Sequence, residues 1–115
     1  MEQGFPDPLL EMIAARFRLL GEPLRLKLLA ALSEGEHSVG ELVEMTGAGQ
    51  PNVSKHLAAL AEGGMVRRRK VGTSTLYSIA DPLALTLCDV VCAALYDQFV
   101  SQGRALGWEP ERGEE

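Results

Sequence analysis

Two groups of side chains in this 115-residue chain have types and spacings that could do chemistry. The first lies in Thr46–Leu60, TGAGQPNVSKHLAAL, and comprises Gln50, Asn52, Ser54 and Lys55. Amide side chains can bond adenine two ways at once, and lysine can bond guanine or phosphate. The run Arg67, Arg68, Arg69, Lys70 follows, and its charges suit a phosphate backbone or, equally, a solvated face. The second group is Cys88 and Cys92. On a helix they sit about 6 Å apart at Cα, one turn apart on one face. That spacing suits two thiolates on a thiophilic metal or metalloid ion. It suits an intrahelical disulfide poorly, because the Cβ atoms cannot approach closely enough. If two copies met there, the thiols could number four, or form an intermolecular bridge that senses oxidants or reactive sulfur. The plainer alternative stays open: cysteine is also a small core hydrophobe, here inside an apolar run. Reactivity would require exposure and a lowered pKa.

The elements that must carry these groups can be read from periodicity. Val53, Leu57 and Leu60 share one helical stripe, while Pro51, Asn52, Lys55 and Ala58 lie on the other side. Pro51 suits a first helical turn, and Gly47 and Gly49 permit close or left-handed backbone before it. Upstream, Ser38-Val39-Gly40-Glu41 fits a capping box opening a short helix with Val39, Leu42 and Val43 apolar. Two short helices joined by a glycine-containing turn read as a helix-turn-helix, whose second helix enters the major groove. His56, at the edge of the stripe, is expected to pack or hydrogen-bond rather than read a base.

On either side the pattern predicts a helix over Pro8–Leu20, a second over Pro23–Leu32 with Arg25 and Lys27 in solvent, and a turn at Ser33–Glu36. The double glycine Gly63-Gly64 suits a helix end. Met65–Lys70 and Ser74–Ile79 read as strands joined at Val71-Gly72-Thr73, with Thr75, Tyr77 and Ile79 facing the helices. A hairpin directly after a recognition helix is a wing, and alternation lets only some of its four cations reach DNA. Asp81 is expected to cap a last helix, Pro82 to about Gln102. Leu83, Leu85, Leu87, Cys88, Val90, Val91, Cys92, Ala94, Leu95, Tyr96 and Phe99 are its burial candidates. A helix apolar nearly all round must be covered on more than one side, and the N-terminal helix of a twofold-related copy is the natural cover. The fold class expected is mostly α with a small β-hairpin: a winged helix-turn-helix dimerising through its N- and C-terminal helices. Its organisation would be an arm over 1–7, the domain over 8–102 and an acidic tail over 103–115, where Trp108 could tuck back.

Length favours one domain. The formal net charge of −5 argues at first against nucleic acid. Between Ala48 and Ala80, however, Lys55 and Arg67–Lys70 stand against Glu62 alone, a local +4 that leaves −9 on the rest. A basic patch on an acidic body can still bind phosphate and orient the protein. No basic start precedes an apolar run, and Pro82–Tyr96 contains Asp89 and is short for a bilayer, so a soluble, cytoplasmic protein without membrane contact is expected. Two cysteines do not make a secreted disulfide framework.

Four pieces in order, Leu20-Gly21-Glu22-Pro23-Leu24-Arg25-Leu26, Gly49 to Leu57 (GQPNVSKHL), Gly64-Met65-Val66 and Leu76-Tyr77-Ser78-Ile79, resemble the ArsR/SmtB family of small dimeric winged-helix repressors. The match covers roughly Ala14 to Ala94. The resemblance implies a homodimer on double-stranded operator DNA, often released when an effector binds. The chain departs from the family's metal sensors. Glu41-Leu42-Val43-Glu44-Met45 holds no thiol, and no histidine follows Asp81. At the wing tip Thr73 stands where arginine is common, which shifts the phosphate load to Arg67–Lys70 and Lys55, and Gly49 replaces a capping serine.

The expected function is therefore a sequence-specific DNA-binding regulator, a homodimeric repressor. Its DNA contacts would be Gln50, Asn52, Ser54, Lys55, Arg67, Arg68, Arg69, Lys70 and Thr73, and its effector, if thiol-reactive or thiophilic, would be sensed at Cys88 and Cys92. The alternative is a winged-helix protein–protein module without DNA binding, suggested by the acidity and Thr73. An enzyme is not expected: His37 and His56 are the only histidines, and neither a phosphate-binding glycine loop nor a carboxylate pair is present.

Overall fold

Each helix starts where the chain offers a fixed φ or a capping side chain. The computed structural model describes residues 4–107. Helix α1 spans Asp7–Leu20 and α2 spans Pro23–Leu32, each with proline in its first turn. Helix α3 spans Val39–Thr46 and opens on the expected capping box: Ser38 Oγ accepts from Glu41 N at 3.2 Å, and Glu41 Oε1 accepts from Ser38 N at 3.0 Å. Gly47 ends α3 in the left-handed region at φ +76°. Gly49 is instead extended, at φ −71°, and is the N-cap of α4, Gln50–Glu62.

The end of α4 gives its two glycines different roles. Gly64 is left-handed at φ +81°. Met65 N donates to Leu60 O and Gly64 N to Ala61 O, the paired bonds of a Schellman motif, and Met65 and Leu60 are both fully buried. Gly63 leaves room for Leu19, whose side-chain end would have to move if a Cβ stood there.

Strands β2 (Val66–Val71) and β3 (Ser74–Ile79) form the hairpin, one residue later at its start than the pattern suggests. Gly72 alone takes positive φ in the two-residue turn, as II′ hairpins require. A third strand, β1 (His37–Ser38), was not expected. It pairs antiparallel with β3, His37 opposite Tyr77 and Ser38 opposite Leu76, giving the order β1-β3-β2. Two residues are too few to show any period of 2, so the pattern could not reveal it.

The core lies where α2, α3 and α4 pack together and against the sheet. Leu28, Leu29, Leu42, Val53, Leu57, Leu60 and Met65 have essentially no exposed surface, and Tyr77 and Val66 close the sheet side.

Helix α5 runs Leu83–Ala105. Asp81 Oδ1 accepts from Leu83 N at 3.0 Å, the expected cap, with the helix starting one residue after Pro82. The described residues divide into two compact units, one through Leu85 and one from Thr86. Within the second, the burial expected of the last helix is not met by this single chain. Val90, Val91, Cys92, Ala94, Leu95, Tyr96 and Phe99 are exposed, as is Leu83 in the first unit, while Leu85, Leu87 and Cys88 are half-buried. The physical reason is that an isolated helix exposes whatever no neighbour covers. At 23 residues α5 is also long and apolar enough, by length and composition alone, to cross a membrane, which corrects the expectation of too short a run. The expectation for Trp108 lies outside the described residues.

Candidate nucleic-acid interface

The recognition segment is held from beneath and open above. Val53, Leu57 and Leu60 anchor α4 in the core, while Gln50, Asn52, Ser54 and Lys55 are all exposed. Proline at the second helical position removes one of the first turn's backbone donors that would need a partner. None of those four polar side chains has a partner among the described residues, so each can bond a ligand without breaking a bond first.

Arg67 to Lys70 are all exposed, but the ribbon divides them. Successive side chains point to opposite faces of a strand. Arg68 and Lys70 share a face with buried Val66 and with Tyr77 and Thr75 across the ladder, the face that α4 packs against. They lie beyond the helix-covered part, toward the turn, and have no protein partner among the described residues. Arg67 and Arg69 lie on the other face and are already used. Arg67 Nη1 donates to Ile79 O at 3.3 Å, and Arg69 makes a two-pronged ion pair with Glu36, Nε to Oε2 at 2.7 Å and Nη2 to Oε1 at 2.9 Å. The Arg69 bonds hold the Glu36 carboxyl below its ordinary range. Sequence reasoning missed this pair, whose members lie 33 residues apart. Thr73 is exposed at the tip.

His56 hydrogen-bonds, as its place at the stripe edge suggests: its Nδ1 accepts from Arg25 Nε at 2.9 Å. The same guanidinium donates from Nη1 to Leu19 O at 3.1 Å. Arg25 is thus half-buried and bonded, not the solvated residue its helical position implies. A further ion pair, Arg16 Nη1 to Asp81 Oδ2 at 3.0 Å, joins α1 to the residue that caps α5.

Cys88 and Cys92 are free thiols, Cys88 half-buried and Cys92 exposed. Burial pushes the Cys88 thiol up, and the Asp89 carboxylate pushes it further, so Cys88 lacks the lowered pKa of a reactive thiol. Among the described residues no three His, Cys, Asp or Glu side chains gather as a metal-ligand set.

An arrangement of exposed polar residues at a helix start, flanked by unpaired cations on a ribbon, is what groove and backbone recognition require. Comparison with known proteins agrees. The family described as "Bacterial regulatory protein, arsR family" matches residues 22–68, from the residue before α2 into β2. The chain is 46% identical over 66 residues to a probable mercury resistance operon repressor of Streptomyces lividans, 57% of this chain and 53% of that protein. It is 38% identical over 90 residues to a biofilm growth-associated repressor of Xylella fastidiosa, 78% of this chain and 75% of that one. Among solved structures, a homodimeric winged helix-turn-helix DNA-binding domain from Mycobacterium bovis superposes with a TM-score of 0.70 at 29% identity, covering 84% of this chain and 89% of that one. The chain belongs to the arsR family of bacterial regulatory proteins: it is a winged helix-turn-helix, DNA-binding transcriptional regulator.

Proposed function

We propose that this chain is a cytoplasmic repressor that binds double-stranded operator DNA as a homodimer. Helix α4 lies in the major groove with Gln50 and Asn52 on base edges and Ser54 and Lys55 on bases or phosphates. Arg68 and Lys70 reach phosphates beside it. Arg67 and Arg69, bonded within the chain, and Thr73 at the tip add less. The single observation that carries this reading is the coincidence of a partner-free polar helix start with two unpaired cations on the α4 side of the ribbon. The dimer is supported by the exposed apolar side chains of α1 and α5, among them Met12, Phe17, Val90 and Phe99, and by the homodimeric relative.

Selection from a random duplex library followed by a salt titration tests it. Half-sites should lie about 34–36 Å apart or a multiple. With Lys55, Arg68 and Lys70 from two protomers on phosphates, log K should fall against log salt with a slope of about −5. A chain that selects no sequence and binds without salt dependence would be the protein–protein module instead.

For the effector we propose a thiophilic metal or metalloid ion at Cys88 and Cys92. Two thiols one turn apart supply two soft donors, and one relative is named a mercury resistance repressor. Operator release by such ions should disappear in Cys88→Ser and Cys92→Ser. Mutants that respond like the parent place the pair in packing alone.

A further inference from the structure

Helix α4 is oriented by its apolar stripe, since turning it would expose Val53, Leu57 and Leu60, but those contacts act on the buried side and not on the polar flank that faces outward. Reading base edges demands a defined rotation of the helix about its axis, because a recognition geometry tolerates only about 10–20° of error. A bond with direction on that flank adds to the angular constraint that packing supplies. One such side-chain bond joins α4 to another helix: Arg25 Nε to His56 Nδ1, 2.9 Å. Arginine has only donors, so Nδ1 is the accepting nitrogen. Its second donor, Nη1, is fixed on Leu19 O, a carbonyl in the last turn of α1 that has no partner within that helix. The guanidinium is planar, so anchoring one edge on Leu19 O sets where the other edge can meet His56. His56 stands one turn after Asn52 on the same side of α4, and its neighbour along the chain is Lys55. The bond therefore holds the flank of the helix that presents Asn52.

We propose that Arg25 is a positioning residue for sequence discrimination: through His56 it refines the rotation of α4, and hence the aim of Asn52, without touching DNA. This rests on the reading of α4 as the base-reading helix. The consequence is specific. Loosening the clasp should blur base readout while leaving phosphate binding, carried by the wing and by the long, flexible Lys55 side chain, almost intact.

The substitutions separate geometry from mere bulk. In His56→Asn the amide Oδ1 occupies the place of Nδ1, two bonds from Cβ, so the bond can be remade. In His56→Gln the acceptor lies one bond farther out. Arg25→Lys keeps the charge but cannot bridge two acceptors in a plane. The probes are the tightest duplex that the parent selects from a random library and a scrambled duplex of equal length. His56→Gln and Arg25→Lys should lower the ratio of selected to scrambled affinity about tenfold, the size of one lost base contact. Scrambled-duplex affinity and salt slope should stay at the parent's values, and His56→Asn should keep the parent's ratio. An unchanged ratio in both loosened variants overturns the proposal. So does a loss in His56→Asn equal to that in His56→Gln, or a fall in scrambled-duplex affinity in step with the selected one. If the parent selects no duplex at all, it is the DNA reading of α4 that has failed, and the clasp's role falls with it.

Discussion

Helices α4 and α5 both carry apolar stripes, but only α4 completes its burial inside its own chain. Val53, Leu57 and Leu60 are fully buried. On α5, Val90 is 62% exposed, Phe99 56% and Val91 52%. Apolar positions of α4 are therefore about folding, and those of α5 are about what comes to cover it. A single stripe buries against one neighbour, while a helix apolar nearly all round needs several surfaces. The largest effect that tests this contrast is on stability. Leu57→Ala should cost about 3 kcal/mol, from lost transfer energy and the cavity left behind. Its thermal midpoint should fall by the same amount at every protein concentration. Leu95→Ala, at a half-exposed site, should instead shift the midpoint by an amount that depends on concentration, as linkage to association requires. Equal, concentration-independent losses in the two variants would erase the distinction.

Next in size is assembly. Val91→Asp combined with Leu95→Asp places two charges on one face of α5. Sedimentation should show a dimer for the parent and a monomer for the variant, with far-ultraviolet dichroism little changed. Operator affinity should fall by about a hundredfold or more, because the second half-site contact is no longer intramolecular. A variant that still sediments as a dimer would place the interface elsewhere.

A smaller effect tests a comparison within the wing. Removing Arg68 and Lys70 together takes away two unpaired cations per protomer, four per dimer. The salt slope should shrink by about 3 to 4. Arg69→Ala, which removes a cation already spent on Glu36, should leave the slope close to the parent's. If Arg69→Ala lowers it as much per charge as the double variant, the ribbon's alternation does not divide these residues by role.

Local signals made much of this fold legible. Proline at the start of α2 and leucines at helical spacing placed Pro23–Leu32 at its observed bounds. Ser38 and Glu41 announced α3, and Gly72 between β-branched runs announced the hairpin. What stayed hidden was non-local. The strand at His37–Ser38 exists only because Tyr77 and Leu76 lie beside it. Arg25 looked solvated because helical phase describes a Cβ direction, whereas a long side chain can turn back to bond a group 31 residues away. His56 offered half of that bond, since an imidazole at a stripe edge needs a partner, but nothing in the sequence said which. The exposure of α5 could not be read because burial is a property of an assembly, and one chain supplies only part of it. In the candidate interface, the polar start of α4 was legible as a cluster. The division of Arg67–Lys70 into bonded and free pairs required the register and the position of Glu36.

The smallest effect concerns the strap that ties the wing to the segment before β1. Glu36 and Arg69 meet at the surface, where solvent screens the pair, so the bond orients more than it stabilises. Hydrogen bonding to Arg69, and then its charge, hold the Glu36 carboxyl below the ordinary value of 4.5, and the carboxylate in turn keeps the guanidinium more firmly protonated. A carboxyl whose folded pKa is lowered contributes above its unfolded pKa, and that contribution is lost as pH falls through the folded value. The strap should accordingly be complete at neutral pH and open as pH falls through a midpoint below 4.5. The NMR resonance of the Arg69 Nε–H reports it directly. In the parent it should move with a midpoint below 4.5, and in Glu36→Gln it should show no titration over the same range. A midpoint at or above the ordinary carboxylate value would mean that the two side chains are not paired in solution. Arg69 would then be as free as Arg68, and the wing would present three unspent cations to the backbone rather than two.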